Sequence, residues 1–579
     1  MAKFLSKDGK FYMRNGKLLQ YLPTLAAKDT WYKSSQDKAT ITKIALKDSY
    51  TPETTVDESW DASAMNDGSI MAYRTGTEII LAGDGSGSIA ANKNSGNMFR
   101  EFTALKSIIG LDILNTSHMV VASSMFANCS SLTTLDLSTW DMSNCTTIGT
   151  MFYECNNLTS VGDLSNWNTS NITRMSGVFY KCSKLTTTGN LNNWDTSKVN
   201  SFQAMFSNCE SLVNIGDLSN WNTSSATSIA GMFYICSNLT SVGDLSNWNT
   251  SNVTTFQSMF AQCSKLENIG TLSNWVTSNA TNIGWMFTRC NALTGLDVSK
   301  WDTSNVTEMT AVFNACHNLN NQDVSKWNTS KAVHMNYLFS GCNKMTKIDV
   351  SNFDTSNVTE TAYMFANCYA LTDLNVAGLN TSKSEYMYWM FSGCKVLTNL
   401  DISSVSTLQI KDEANMEHFF DGDKSLQSVT LGKDFKFVGT KSYLPTPASG
   451  KWYDTTTGIG YTPAELAAVV RTGPVTYSAI APAPVSKTWV INETPNTQSV
   501  VFSAPDYLWK QTINFTSNNI QFTSIEIING VDELYYGGTS GVTTYSEGSW
   551  DNQAYRTVVF ETVPTGELLT WLQANAVPQ

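Results

Sequence analysis

Leu132-Thr-Thr-Leu135-Asp-Leu137-Ser-Thr-Trp140-Asp141 and, further on, Leu293-Thr-Gly-Leu296-Asp-Val298-Ser-Lys-Trp301-Asp-Thr-Ser-Asn-Val306 are two copies of one sentence that recurs through the middle of the chain. Its metronome is a row of eleven cysteines, Cys129, Cys155, Cys182, Cys209, Cys236, Cys263, Cys290, Cys316, Cys342, Cys368 and Cys394, spaced 26 or 27 residues apart. A unit this short cannot bury its own apolar face. Successive copies are therefore expected to stack as the coils of a solenoid.

Within one copy, Leu158, Val161, Leu164 and Trp167 precede Asn168-Thr-Ser-Asn, and Ile172, Met175, Phe179 and Cys182 follow. The Leu-x-x-Leu-x-Leu spacing puts alternate side chains on one side of an extended segment, which predicts a short parallel strand. The Asn/Asp-Thr-Ser stretch predicts a corner, because these side chains hydrogen-bond their own backbone. Met-Phe-x-x-Cys is expected to return as a short helical turn. Five successive intervals, from Cys155 to Cys290, carry one extra residue, and Gly162, Gly216, Gly243 and Gly270 stand just before the strand there, consistent with a bulge or tight corner. With strands about 4.8 Å apart, the stack would measure on the order of 50 Å.

Composition narrows the function classes. The 579 residues carry a formal charge of −12 with only 15% charged residues, so the clustered Lys and Arg that a phosphate backbone demands are missing and nucleic acid is not an expected partner. No stretch approaches the roughly 18 apolar residues of a membrane span. Lys3, Lys7, Lys10, Arg14 and Lys17 before Leu18 imitate the start of a signal peptide, but Gln20, Tyr21 and Pro23 interrupt the apolar run. Asp8-Gly9 and Asn15-Gly16 instead read as hairpin turns in an ordered start.

Degenerate copies flank the repeats. Asn97-Met-Phe-Arg-Glu-Phe102 lies one period before Cys129, and Phe419-Phe420-Asp-Gly-Asp423-Lys-Ser-Leu426 has Asp where Cys is due. Such copies are expected to cap the stack. After Ala481-Pro-Ala-Pro484, the runs beginning at Trp489, Ile513, Phe522 and Tyr555 alternate β-branched and aromatic residues between Gly/Asn/Asp clusters, predicting a small β-rich domain.

The Met-Phe-x-x-Cys-x-x-Leu and Leu-Asp-Leu-Ser-x-Trp/Phe-Asp-Thr-Ser-Asn-Val motifs resemble the bacterial surface-protein 26-residue repeat family, a BspA-like leucine-rich repeat, from about 60 to 479. The resemblance implies an extracellular adhesive or binding scaffold and no conserved catalytic residue. Members usually carry a signal peptide and an anchor, which are not expected here; Leu444-Pro-Thr-Pro447 lacks the Gly of a sorting signal. The stretch Thr562-Val-Pro-Thr-Gly-Glu-Leu-Leu-Thr-Trp571-Leu-Gln-Ala-Asn-Ala576 resembles a C-terminal module of tailed-phage fibre and structural proteins, and Met1-Ala-Lys-Phe-Leu has the same flavour. A phage protein leaves its host by lysis and needs no signal peptide.

The expected fold is thus a leucine-rich-repeat-like solenoid of short parallel strands, β-rich with some short helical turns, capped at both ends and followed by a small β-rich domain. Its expected division is an attachment segment (1–30), a cap (31–110), the repeats (111–426), a second cap (427–479), a Pro/Ala linker (480–487) and a phage-type domain (488–579). The expected function is non-enzymatic: a virion fibre or tail-associated protein that presents the solenoid to a host surface protein or glycan while its ends join other virion proteins. A homotrimer would suit a fibre, though no heptad run marks one. A bacterial cell-surface or secreted adhesin, and a virion decoration without a receptor, are the alternatives.

Candidate sites follow the period. The cysteines sit beside Phe and Leu and read as buried thiols rather than disulfides or zinc ligands. Asp136, Asp163, Asp217, Asp244, Asp297, Asp323, Asp349 and Asp401 recur just before the last inward residue of the strand, with Asn190, Thr271 and Asn375 in the gaps. Hydrogen-bonded carboxylates are expected there, with calcium bridging at Asp297, Asp323 and Asp349 as the alternative; no cofactor is expected. Trp140, Trp167, Trp194, Trp221, Trp248, Trp275, Trp301 and Trp327, continued by Phe353, face inward by phase and read as core rather than as a sugar-stacking stripe. Tyr153, Tyr180, Tyr234, Trp285, Tyr337, Tyr363 and Trp389 vary between copies and are the candidate exposed recognition residues. His118, His317, His334 and His418 accompany no evident nucleophile and orienting group, so no catalytic triad is expected.

Overall fold

Each repeat is tied to the next by three lines of parallel hydrogen bonding. The computed structural model describes residues 23–481 throughout and, outside them, strands at Met13–Arg14, Lys17–Leu18, Thr488–Glu493, Glu533–Leu534, Val542–Trp550, Gln553–Phe560 and Ala576–Pro578. The protein is β-rich: among the described residues, helical structure amounts to five three-residue 3₁₀ turns and one five-residue α-helix, Pro463–Ala467.

The first line runs through the leucine segment. Late in the chain it forms true parallel strands, Lys347–Asp349 against Asp373–Asn375 with Ile348 opposite Leu374. In the 27-residue copies it shrinks to single bridges such as Thr187 to Asn214 and Ser241 to Asn268. Spacing is not the whole cause, since Thr134 and Ser160, 26 residues apart, also make a single bridge, but the extra residue adds a break of its own. Gly162 is left-handed at φ +83°, and a Cβ there would stand 2.6 Å from Asp136 Oδ1 of the preceding copy, so the ladder breaks at a position only glycine fills without strain.

The second line, which sequence reasoning did not foresee, lies just before the methionine: Ser201, Ser228, Thr255, Asn282, Glu308, His334, Glu360 and Tyr386 bridge copy to copy. The third is the Met-Phe-x-x-Cys segment itself, and it is not helical. Alternate amides leave the copy, Ser124 N donating to Gly149 O, Phe126 N to Met151 O and Asn128 N to Tyr153 O, while Met125, Ala127 and Cys129 close turns onto carbonyls three residues back. Left-handed residues at both ends of the segment, Ser124 at φ 57° and Asn128 at φ 63°, make that alternation geometrically closed. An α-helix would have spent those amides internally; here they join neighbours.

Side chains reinforce the lines. Phe126, Phe152, Phe179, Phe206, Phe233, Phe260 and Phe287 stack ring on ring at 5.2–5.9 Å. Trp167, Trp194, Trp221 and Trp248 form a second buried column, each Nε1 donating to a leucine carbonyl of the preceding copy, as Trp194 does to Leu164 at 2.9 Å. The corners are Asx turns: Ser170 N donates to Asn168 Oδ1 at 3.1 Å, and Thr169 Oγ1 donates to Asp195 O of the next copy at 3.0 Å.

All eleven ladder cysteines are buried and unpaired, each Sγ donating to the phenylalanine carbonyl one copy back, as in Cys182 to Phe152 at 3.1 Å. The twelfth, Cys145, lies off the ladder, at a corner. Burial pushes the thiols of Cys129, Cys263, Cys316 and Cys368 up to about 12. Since the thiolate is the reactive form, the folded chain is expected to leave all twelve cysteines unmodified by an aromatic disulfide reagent that titrates all twelve in denaturant. Rapid native labelling of a ladder cysteine would show the column to be open.

Toward the N-terminus a five-stranded sheet runs in the order Glu58–Asp61, Met71–Thr75, Glu78–Ala82, Lys43–Lys47, Ser107–Ile109, the last three parallel. Trp31, fully buried, donates to Met98 O and stacks on Phe102. Past Cys394 the phenylalanine column goes on to Phe420, and the buried Arg471 donates to the carbonyls of Gly432 and Phe435.

The chain divides into two units, Met1–Pro445 with Ala467–Pro474, and Thr446–Leu466 with Val475–Gln579. In the second, Trp452–Asp454 pairs antiparallel with Gly460–Tyr461 and with Val475–Ser478. A separate sheet there has the order Glu533–Leu534, Val542–Trp550, Gln553–Phe560, Thr488–Glu493, Ala576–Pro578. The segments beginning at Ile513 and Phe522, the stretch 562–575 and the residues 1–12 fall outside the described residues.

Candidate binding face

The seven aromatics expected to share one face belong to two columns. Counted back from the ladder cysteine, Tyr153, Tyr180 and Tyr234 stand two residues before it, whereas Trp285, Tyr337, Tyr363 and Trp389 stand five before it. Tyr153 and Tyr180 stack at 4.8 Å beside the Lys181–Glu154 ion pair; Tyr234 is separated from them by Ser207. The second column is longer. Tyr337 stacks on Tyr363 at 4.4 Å, Tyr363 on Trp389 at 5.9 Å and Trp389 on His418 at 4.3 Å, with Tyr388 edge-on to Tyr363.

This second column is built on unfavourable backbone. Its position is left-handed in every copy. Earlier copies fill it with Ser124, Thr150, Gly177, Ala204, Gly231 and Ser258, but Trp285, Tyr337, Tyr363, Trp389 and His418 occupy it at φ 57–60°. A bulky ring in that region costs on the order of 1 kcal/mol or more, and such outliers collect at ligand-binding positions. The rings are half-buried. Burial, followed by the neighbouring Tyr363, raises the Tyr337 hydroxyl to about 12.

Polar groups line the same repeats. Glu308 Oε2 lies 3.0 Å from His334 Nδ1, Thr310 Oγ1 donates to Asn336 Oδ1 at 2.7 Å, and Asn336 Nδ2 donates to Glu360 Oε2 at 3.1 Å. At its far end Glu417 pairs with Lys441 at 2.9 Å and His418 Nδ1 lies 2.6 Å from Asp421. Glu308, Asn336, Glu360 and Tyr388 escaped sequence reading, and His334 and His418 enter it only as histidines without a catalytic partner. Glu308, His334 and Glu360 share the position eight before the cysteine, and Asn336 and Tyr388 the position six before it, a coincidence visible once each copy is aligned on its cysteine.

Stacking limits what this face can do. Inside the Tyr337–Tyr363–Trp389 run the ring faces cover one another, at 10° and 4° between planes, so ring edges and hydroxyls are what a ligand meets. Free ring faces occur only where the column is interrupted or ends.

The aspartate row has another task. Ser299 N donates to Asp297 Oδ1 at 3.2 Å, Ser325 N to Asp323 Oδ1 and Ser351 N to Asp349 Oδ1 at 3.0 Å each, and the serine bonds hold all three carboxyls below their usual range. Among the described residues no group of three or more His, Cys, Asp or Glu is arranged to hold a metal ion. The tryptophan row from Trp140 to Trp327, with Phe353, is at most 4% exposed and lies in the core. No described helix is long and apolar enough to cross a membrane.

Residues 93–186, 156–268, 212–309, 285–404 and 310–433 each match a family described as Mycoplasma protein of unknown function, DUF285. No curated protein matches the chain. The matches overlap into one continuous stretch, 93–433, that is 341 of the 579 residues and coincides with the run of phenylalanine, tryptophan and thiol columns. With its repeats and more than half its length accounted for in this way, the chain belongs to the DUF285 family.

Proposed function

We propose that this is a non-enzymatic binding protein whose repeats form one leucine-rich-repeat-like solenoid, capped by 31–110 and 427–479, and whose recognition surface is the face carrying Trp285, Tyr337, Tyr363 and Trp389. One observation carries the reading: four large aromatics hold left-handed backbone positions that other copies give to Gly, Ala, Ser or Thr, a cost the fold does not require. Aromatic side chains flanked by hydrogen-bonding groups are the usual anchors of recognition surfaces. The ligand is a host surface protein or glycan. The place of action is the surface of a phage virion, at the tail or fibre, with the ends of the chain joined to other virion proteins or to further copies; the resemblance of 562–576 to phage fibre modules supports it.

The experiment is binding of the labelled full chain to host cells. Tyr363→Ala with Trp389→Ala should lower it by at least about tenfold, the loss expected for two anchor residues of 1 kcal/mol or more each, with an unchanged melting temperature. Undiminished binding would remove this face from the reading. Mass spectrometry of purified virions tests the location, and absence of the chain would overturn it. The bacterial name of the matched family supports a second reading, a bacterial surface or secreted adhesin, for which fractionation of a producing bacterium would find the chain at the cell surface or in the medium.

A further inference from the structure

The copies serve as controls for one another, and one window of the repeat changes character partway along. Between nine and five residues before the ladder position, the seven copies ending at Cys129 through Cys290 hold no Asp or Glu and a single basic residue, Arg174. The five copies ending at Cys316, Cys342, Cys368, Cys394 and Asp423 hold Glu308, Glu360, Glu385 and Glu417 there, and no Lys or Arg. The carboxylates thus set in within one copy of Trp285, where the large aromatics begin. The fold does not ask for them, since the same backbone is built seven times without one.

They are not equally free. Glu308 is engaged at both oxygens, Oε1 by the Thr310 amide at 2.8 Å and Oε2 by His334 at 3.0 Å. Glu417 pairs with Lys441. Glu360 accepts one hydrogen bond, from Asn336 to Oε2 at 3.1 Å, and among the described residues no cation pairs with it. A carboxylate offers about four lone-pair sites, so most of its capacity is unused. Its bridge partner in the next copy is Tyr386. Residues paired in a parallel ladder point the same way about 4.8 Å apart, so carboxylate and phenol stand side by side. Tyr386 is 39% exposed and belongs to neither aromatic column; among the described residues no ring stacks on it. Glu385, next to it in the chain, is exposed and adds a second carboxylate.

We propose that Glu360 and Tyr386 form an anchor site for an arginine side chain of a basic protein segment docked along this face. A guanidinium brings two things at once: a planar fork that pairs with a carboxylate, and a weakly hydrated flat face that lies against an aromatic ring. Glu360 meets the first, and the uncovered ring of Tyr386 meets the second within the roughly 6 Å reach of a cation–π contact. A lysine ammonium is a more strongly hydrated point charge and gains less from the pair. Glu385 attracts a further basic residue of the same segment. A neutral glycan or an acidic segment answers none of these groups. This inference rests on the binding-protein reading and names the partner's chemistry.

The test is fluorescence anisotropy of a dye-labelled hexa-arginine peptide titrated with the full chain, with hexalysine and hexaglutamate peptides for comparison. Because the chain carries a formal charge of −12, any polycation is attracted to it, and localisation decides the matter. Glu360→Gln, which keeps an acceptor for Asn336, and Tyr386→Leu, which removes the ring, should each weaken the arginine peptide by about tenfold, the loss of one anchor, with unchanged melting temperatures. Tyr386→Phe should bind as the wild type does. Glu267→Gln removes an exposed carboxylate from the leucine segment of an early copy and should leave affinity nearly unaltered. Hexalysine should bind more weakly than hexa-arginine, and hexaglutamate should not bind. No binding of the arginine peptide, an equal loss in Glu267→Gln, or undiminished binding by Tyr386→Leu overturns the anchor; equal binding of hexalysine overturns the choice of arginine. Host-cell binding separates this inference from the broader one. It should fall in Glu360→Gln; if it persists there but is lost in Tyr363→Ala with Trp389→Ala, the anchor fails and the face stands.

Discussion

Phe260→Asp is expected to unfold the repeats around it while leaving distant ones intact. Phe260 is fully buried, stacked between Phe233 at 5.6 Å and Phe287 at 5.9 Å, and its carbonyl accepts the Cys290 thiol. Removing a buried phenylalanine costs about 3–5 kcal/mol. A carboxylate left in its place without a partner adds several kcal/mol more. In a globular domain that sum would approach the whole stability. Here each copy touches chiefly its neighbours, so the damage is a local term in a nearly one-dimensional sum. Hydrogen exchange should rise by about four orders of magnitude for amides between Cys236 and Cys290, corresponding to roughly 5 kcal/mol, with little change near Cys129. Phe260→Leu, which keeps the site apolar and leaves only a small cavity, should raise exchange by far less, on the order of tenfold. A uniform rise along the chain would mean the copies unfold as one block.

That locality explains why so much was legible beforehand. An identical environment in every copy forces an identical residue, so the cysteine, leucine, phenylalanine and tryptophan columns announce themselves by period alone, and the Asn/Asp-Thr-Ser corner is written in the side chains that make it. The Met-Phe-x-x-Cys segment reads as helical because most copies fill its left-handed positions with residues such as Ser124, Asn128, Thr150 and Glu154; the glycines that do stand there, Gly177, Gly231, Gly341 and Gly393, are too scattered to announce the turn by period. The candidate face was half legible. Variation between copies singled out seven aromatics, but variation does not say which residues lie above one another, and three positions along the chain separate Tyr234 from the column of Tyr337. Register relative to the cysteine decides that. The polar partners Glu308 and Asn336 were invisible for the same reason, and His334 was visible only as a lone histidine: each is informative only beside its counterpart in the next copy.

Asp423 should make the C-terminal end of the repeats pH-sensitive. It stands where the ladder calls for cysteine, is fully buried, and accepts the Cys394 amide at 2.7 Å through Oδ1, while Oδ2 has no hydrogen-bond partner. Burial pushes its carboxyl from 3.8 up to about 8. The folded chain therefore keeps a proton that the unfolded chain releases above pH 4. Stability from this group is complete below about pH 4, declines as pH rises from 4 to 8, and levels off above, the opposite of Asp297 or Asp323, whose lowered values remove stability only in acid. The ceiling on the change, about 4 pH units at 1.36 kcal/mol each, is roughly 6 kcal/mol. Urea unfolding of the last repeats, followed by hydrogen exchange around Phe391 and Phe420, should show a midpoint that falls steadily between pH 5 and pH 8. Asp423→Asn keeps an acceptor for the Cys394 amide but has no proton to lose, so its midpoint should be flat over that window. Asp423→Cys should be flat as well, since it restores a thiol in reach of the Phe391 carbonyl in the manner of Cys394 on Phe365. A wild-type midpoint that does not move, or an equal slope in Asp423→Asn, would show that water reaches this carboxyl and that the column ends one copy earlier, at Cys394.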